Sequence, residues 1–283
     1  MNAKQYLKHC IRVMLSKKLL DMKDRDLGIQ LCAITDDHIG VEIFTNELYE
    51  KETLLALKQF LNKNNHSSFD SVVLDVGANI GNHTIFFSKL FKSVVSFEPN
   101  NHIADMIEVN KVLNSAKNVK VVRSAIVEVP GEYVLIHPSD NVGAASLKRS
   151  TSPNAEGNHV SAMTGDEVDS IINKERVGLI KVDTEGMESS VFKALKNIIQ
   201  QNYPVIAFEQ NSDEIVNGSS ESIKLLRSMG YNKLYAPEIT PKSKFKPLEL
   251  LKRLFLGKST EYIEQQMLEK KFYPLLIMTR QDG

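Results

Sequence analysis

Residues 72–99 read VVLDVGANIGNHTIFFSKLFKSVVSFEP, and the organisation of the chain turns on them. Val72, Val73, Leu74 and Val76 form a short apolar run rich in β-branched side chains, the composition of a strand buried on both faces of a parallel sheet. Asp75 stands near the end of that strand. The turn after it carries Gly77 and Gly81, which tolerate positive φ and close approach of the backbone to a ligand. From Asn82 the period changes, with Ile85, Phe86, Leu90 and Phe91 at helical spacing. A second β-rich run, Val94 to Phe97, delivers Glu98 and Pro99. The stretch is a strand-turn-helix-strand unit with a carboxylate at the end of each strand.

Such a unit binds a nucleoside, because ligands of doubly wound sheets sit in the crevice beyond the carboxyl ends of the strands. An acid about twenty residues after the first glycine can accept hydrogen bonds from ribose hydroxyls, and Glu98 occupies that position. A dinucleotide site prefers G-x-G-x-x-G, since a pyrophosphate must lie on the backbone at a helix N-terminus. Here the pattern is D-x-G-x-N-x-G. Asn79 in the turn and Asp75 before it suit a ligand without phosphates but with a positively charged amino-acid end, a description that S-adenosylmethionine meets.

The segments DVGANIGNHT at 75–84, FEPN at 97–100 and IKVDTEGME at 180–188 together resemble the signature of the FkbM-like family of S-adenosylmethionine-dependent methyltransferases. The resemblance covers about residues 49–273, and the pairing of the two motifs is more specific than a glycine loop alone. It implies an α/β fold of the class I methyltransferase kind, a Rossmann-like, doubly wound, mostly parallel seven-stranded sheet with its last strand inserted antiparallel. It implies S-adenosyl-L-methionine as cofactor, held by Asp75, Gly77, Asn79, Gly81, Asn82 and Glu98. Ser124 and Ala125, after the third strand, would meet the adenine. Residues 141–147, which include Ser146, resemble a small-residue stretch that the family carries near its substrate.

The second chemical centre is residues 179–188, LIKVDTEGME. Leu179, Ile180 and Val182 make a strand whose end presents Asp183, Thr184 and Glu185, over the same ligand as Gly77 and Glu98 by the crevice rule. A sulfonium methyl is already activated, so the protein must align the acceptor and remove a proton if the acceptor is a hydroxyl. Asp183 is the first candidate base and Glu185 the second. His83, beside the glycine loop, is a third, with capping or cofactor contact as its other reading. Glu209, after a fifth strand at 205–208, is a candidate for substrate binding, and Glu188 in a first helical turn complements the helix dipole. Asp183, Glu185, Glu209 and His83 also offer ligands for Mg²⁺, but spacing alone does not show such a site and no metal is expected.

Composition bounds the alternatives. The 283 residues suffice for one large domain with additions, and 35 Lys plus Arg against 35 Asp plus Glu give no field for nucleic acid. Cys10 and Cys32 are the only cysteines, neither a disulfide framework nor a metal motif. No run reaches the length needed to span a bilayer, and the start of the chain lacks a secretory pattern, so a cytoplasmic protein is expected, peripheral to the inner face of the membrane at most.

Residues 1–70 read as a leader preceding a cofactor domain at 71–283. Within the leader, 1–26 form a basic helix, with docking on its own domain favoured over membrane contact. Leu31–Ile34 and Ile39–Phe44 are expected to pair as a hairpin, and 48–62 to be helical. Residues 126–129 and 133–136 are expected to form a second hairpin across Pro130 and Gly131. Residues 137–158 read as a substrate loop. Residues 237–271 read as a basic amphipathic helical insertion before the last strand, with Lys242, Lys252 and Lys258 among Phe245, Leu251 and Phe255. A lid, a homodimer contact and contact through 242–258 with a membrane or lipid-linked substrate are its open readings.

The function expected is O-methylation of a small-molecule or glycan hydroxyl. A binding or scaffold protein on the same fold is the alternative, and an NAD-dependent oxidoreductase a weaker one, because Asn79 departs from the dinucleotide pattern and no hydride-transfer signature is present.

Overall fold

The computed structural model describes residues 3–21, 26–34, 38–63, 69–136, 146–149, 157–240 and 259–280. Its centre is an eight-stranded sheet. The parallel part contains β1 (Val72–Val76), β2 (Ser93–Phe97), β3 (Val119–Val122), β9 (Val177–Val182) and β10 (Val205–Gln210). The antiparallel part contains β11 (Lys233–Thr240), β12 (Ser259–Glu264) and β13 (Tyr273–Thr279). The order is β12-β11-β13-β10-β9-β1-β2-β3. β1 lies between β2 and β9, parallel to both, with Val73 opposite Val94 and Leu179. β13 is inserted antiparallel between β10 and β11.

This is the doubly wound arrangement expected, with one strand more than the seven anticipated. The extra strand arises because β11 runs on to Thr240 and its backbone pairs with β12 from Tyr235–Glu264 to Thr240–Ser259. Residues 237–240 and 259–264 of the expected helical insertion at 237–271 are therefore strand, 265–271 are irregular, and its basic segment 242–258 lies outside the described residues.

The central parallel strands are mostly apolar because both their faces are covered. All five residues of β1 are buried. Val72, Leu74 and Val76 join one core with Phe192, Ile198 and Leu226, while Val73 joins the other with Leu57, Ile85 and Phe87. The helices that supply these layers include α3 (Lys51–Lys63), α4 (Asn82–Ser88), α5 (Asn101–Leu113), α6 (Gly165–Ile172), α7 (Glu188–Ala194), α8 (Lys196–Asn202) and α9 (Glu221–Ser228). The helix that opens at Glu188 ends at Ala194, and α8 follows it directly, the two meeting at Leu195.

The leader differs from its expected hairpin. Residues 38–46 form helix α2 (His38–Asn46), burying Gly40 and Ile43 at helical spacing, so tertiary packing overrides the β propensity of Ile39, Val41 and Ile43. Residues 31–34 pair with no strand. Asn110 of α5 accepts from the Cys32 amide at 2.7 Å and donates to the Cys32 carbonyl at 3.2 Å, and Asn114 bonds Gln30 in the same reciprocal way. Helix α1 (Ala3–Asp21) exposes every residue from 5 to 15, which does not match the docked helix favoured from sequence.

The second expected hairpin is also absent. β4 (Ala125–Ile126) pairs parallel with β8 (Ala162–Met163), whereas β5 (Tyr133–Ile136) pairs antiparallel with β6 (Ser146–Arg149) and β7 (Asn158–Val160). The turn chemistry of Pro130 and Gly131 redirects the chain to new partners. The substrate loop expected at 137–158 thus contains β6 and the start of β7, while 137–145 and 150–156 lie outside the described residues. Among the described residues no helix is long and apolar enough to cross a membrane.

Candidate active site

A cleft opens at the carboxyl ends of the parallel strands. It is lined by Gly77 and Asn79 of the turn after β1, Asn82 and His83 of α4, Glu98 after β2, Ser124 and Ala125 after β3, and Asp183, Glu185 and Glu209 beyond β9 and within β10. The site residues proposed from sequence therefore converge, with three exceptions. Asp75 and Gly81 are not part of the lining. Ser146 begins β6 and its side chain is outside the described set, although its neighbour Leu147 reaches the cleft.

Asp75 works from behind. It is fully buried, accepts a hydrogen bond from Thr84 Oγ1 at 2.6 Å and lies 3.2 Å from Lys181 Nζ. Lys181 is the residue that sequence reading missed. Its ammonium also donates to the Gly77 carbonyl at 3.0 Å and lies 3.4 Å from Asp183 Oδ2, so one buried cation ties the turn after β1 to the acid after β9. Burial alone would lower its pKa, but the Asp75 and Asp183 carboxylates more than offset this and hold it above the ordinary lysine range. A lone charge inside the apolar run Val177 to Val182 was the available signal.

The turn is compact for a reason other than ligand approach. Gly77 has φ +71°, and a Cβ there would lie 1.8 Å from the Asp183 carbonyl oxygen. Asn79 takes φ +49°, a left-handed conformation that Asn tolerates better than most residues. Every amide from 77 to 81 is paired within the protein. Gly77 and Ala78 donate to the Phe97 carbonyl at 3.0 and 3.1 Å, and Gly81 donates to that of Ala78 at 2.9 Å. Asn79 donates to Glu98 Oε2 at 3.0 Å, and Ile80 to the Asn79 side chain at 2.8 Å.

Glu98 accepts a second amide, from Asn100, on its other oxygen at 2.9 Å. Burial pushes its pKa up to about 6, with these two hydrogen bonds opposing the rise. Asn82 is spent on the leader: its amide donates to the Tyr49 carbonyl at 2.9 Å and its oxygen accepts from the Tyr49 amide at 3.0 Å. This brings Tyr49 and Glu50 to the cleft. His83 is buried, its Nε2 is 3.5 Å from Glu50 Oε2, and that nitrogen has no hydrogen-bond partner among the described residues.

The acids beyond β9 and β10 divide by role. Glu188 Oε1 accepts from the Thr184 amide, the Thr184 hydroxyl and the Gly186 amide at 2.9, 3.1 and 3.3 Å, so it holds the loop in shape. Glu185 faces the cleft with its pKa raised by burial and then by Asp183 and Glu188. Glu209 is raised further, by burial first and then by Asp183 and Glu185. Among the described residues no group of three or more such side chains is arranged to hold a metal ion.

The sequence profile of the methyltransferase FkbM domain matches residues 75–233, more than half of the chain. Hexuronic acid methyltransferase AglP of Haloferax volcanii is 29% identical over 146 residues, 51% of this chain and 58% of that protein, so the match spans less than two thirds of the relative. The structure of the methyltransferase FkbM from Methylobacillus flagellatus KT is similar at TM-score 0.40 and 14% identity, over 74% of this chain and 44% of that one. The O-methyltransferase from Bacillus cereus, solved in complex with SAH, gives TM-score 0.40 and 14% identity over 78% and 79%. On the family match, which takes in the glycine turn, Glu98 and the strand end at Asp183, this chain belongs to the methyltransferase FkbM domain family.

Proposed function

We propose that the chain is an S-adenosylmethionine-dependent methyltransferase acting on a hydroxyl of a sugar or related small molecule. The observation that carries this reading is the saturation of the turn at 77–81. With all five amides paired inside the protein, the turn offers no backbone donors to a pyrophosphate, while carboxylates face the cleft on both sides of it. That donor set suits a nucleoside with hydroxyls and a positive charge better than a dinucleotide. The Haloferax volcanii relative, named for a hexuronic acid, supports a sugar acceptor.

In this reading Glu98 receives the ribose hydroxyls, and Ser124, Ala125 and Ile103 border the base. The cofactor supplies an activated methyl group. Asp183 is placed to take the acceptor's proton, fixed by Lys181 behind it. Glu209, whose pKa is raised by burial and then by Asp183 and Glu185, stands beside it on the same side of the cleft. His83 and Glu50 form the opposite wall.

Calorimetry with S-adenosylmethionine, S-adenosylhomocysteine and NAD⁺ tests the cofactor assignment. The first two should bind and the third should not. Preference for NAD⁺, or silence with all three, would overturn it. Transfer of labelled methyl from S-adenosylmethionine to glycoside acceptors then tests the reaction.

A further inference from the structure

The charge balance of the cleft bears on which acceptor a methyltransferase of this kind would take. Asp183, Glu185 and Glu209 meet at adjacent strand ends, and Glu50 and Glu98 line the same cleft. Lys181 is the cation among these described lining residues, and an ammonium has three donors. It donates to the Gly77 carbonyl at 3.0 Å, and its charge is countered by two carboxylates, Asp75 Oδ1 at 3.2 Å and Asp183 Oδ2 at 3.4 Å. Glu185 and Glu209 have no cationic partner among the described residues. Burial first, and then the neighbouring carboxylates, raises the pKa of both. On the facing wall, buried His83 keeps Nε2 without a hydrogen-bond partner, 3.5 Å from Glu50 Oε2. A polar ligand thus meets an imidazole as well as acids, and an anionic one would meet carboxylates with no free cation among the described lining residues to receive it.

We propose that the acceptor is an amino sugar, carrying a protonated amine beside the hydroxyl to be methylated, with Glu185 and Glu209 as the partners of the amine; this rests on the methyltransferase reading of the same site. The described cleft disfavours a hexuronate, despite the acidic sugar for which the Haloferax volcanii relative is named. The cofactor also carries an ammonium, so the test must separate the two cations.

The full chain, saturated with S-adenosylhomocysteine, is titrated by NMR with the methyl glycosides of glucosamine, glucose and glucuronic acid. The glucosaminide should bind about tenfold more tightly than the glucoside, the worth of one charge-assisted hydrogen bond, and the glucuronide more weakly than either. In the Glu185→Gln/Glu209→Gln variant the glucosaminide should lose that advantage. Equal binding of glucoside and glucosaminide, tighter binding of the glucuronide, no binding of any glycoside, or displacement of S-adenosylhomocysteine by the glucosaminide would each overturn the proposal. Failure of S-adenosylhomocysteine itself to bind would instead remove the methyltransferase reading, and this inference with it.

Discussion

The ammonium of Lys181 lies 3.0 Å from the carbonyl oxygen of Gly77, a residue 104 positions away in the chain. The glycine turn after β1 and the acid that follows β9 are thereby parts of one buried ionic assembly rather than two neighbouring loops. We predict that Lys181→Met destabilises the fold by about 3–5 kcal/mol, the cost of leaving a buried pair with one partner. Chemical denaturation would measure it. The double variant Asp75→Asn/Lys181→Met should recover part of the loss, and no recovery would show that the two groups are not coupled.

Gly77 and Gly28 both have positive φ, at +71° and +61°, yet their surroundings differ. A Cβ at Gly28 meets nothing within 4 Å, whereas one at Gly77 lies 1.8 Å from the Asp183 carbonyl oxygen. Gly28→Ala should therefore cost only about 1–2 kcal/mol of backbone strain. Gly77→Ala should cost clearly more and abolish binding of S-adenosylhomocysteine. Similar unfolding midpoints for the two variants would contradict the close contact.

Glu98 gives the protein a pH signature. Its folded pKa is raised from 4.5 to about 6, so the folded state keeps its proton to higher pH than the unfolded chain does. Stability should then fall as pH rises from about 4.5 to about 6 and level off above, with Glu98 contributing a negative slope. Glu98→Gln should remove that slope. It should also weaken S-adenosylhomocysteine about tenfold or more, since a charge-accepting site is lost. Denaturation curves across this range and calorimetry at neutral pH check the two effects separately.

Asp183→Asn should lower turnover by about 10²–10⁴, the usual contribution of a general base. Its volume is preserved, so S-adenosylhomocysteine affinity should change by less than threefold. Turnover within tenfold of the unsubstituted protein would take the role of base away from Asp183 and pass it to Glu185 or His83.

Asn82→Ala should loosen the leader more than the cofactor turn, because its side chain closes two hydrogen bonds on the Tyr49 backbone. Hydrogen exchange at Tyr49 should rise, with the amides of 77–81 changing less. Equal loss of protection in both segments would show that leader and turn open together.

The largely apolar runs at 72–76, 93–97 and 177–182, without strict alternation, told of buried parallel strands because a strand covered on both faces favours apolar residues on each of them. The turn and both acidic strand ends were equally legible, since positive φ and strand-end carboxylates leave marks on residue identity. Local reading failed wherever a distant partner decided the outcome. Residues 39–44 have strand composition but become helix because Gly40 and Ile43 are buried on one side of it. Tyr133 to Ile136 leave the expected hairpin because β6 and β7 supply better partners.

The sequence by itself determined the parallel core of the sheet, the place of the cleft and most of its polar lining, all of which depend on periodicity and on residues near one another in the chain. Tertiary structure alone decided that Lys181 is consumed by Asp75, Asp183 and Gly77, that Asn82 serves Tyr49, and that His83 Nε2 is left without a partner among the described residues. Hydrogen bonds and ion pairs act over about 3 Å in space with no regard for sequence separation, so the division of polar side chains between structure and ligand emerges only when the chain has folded.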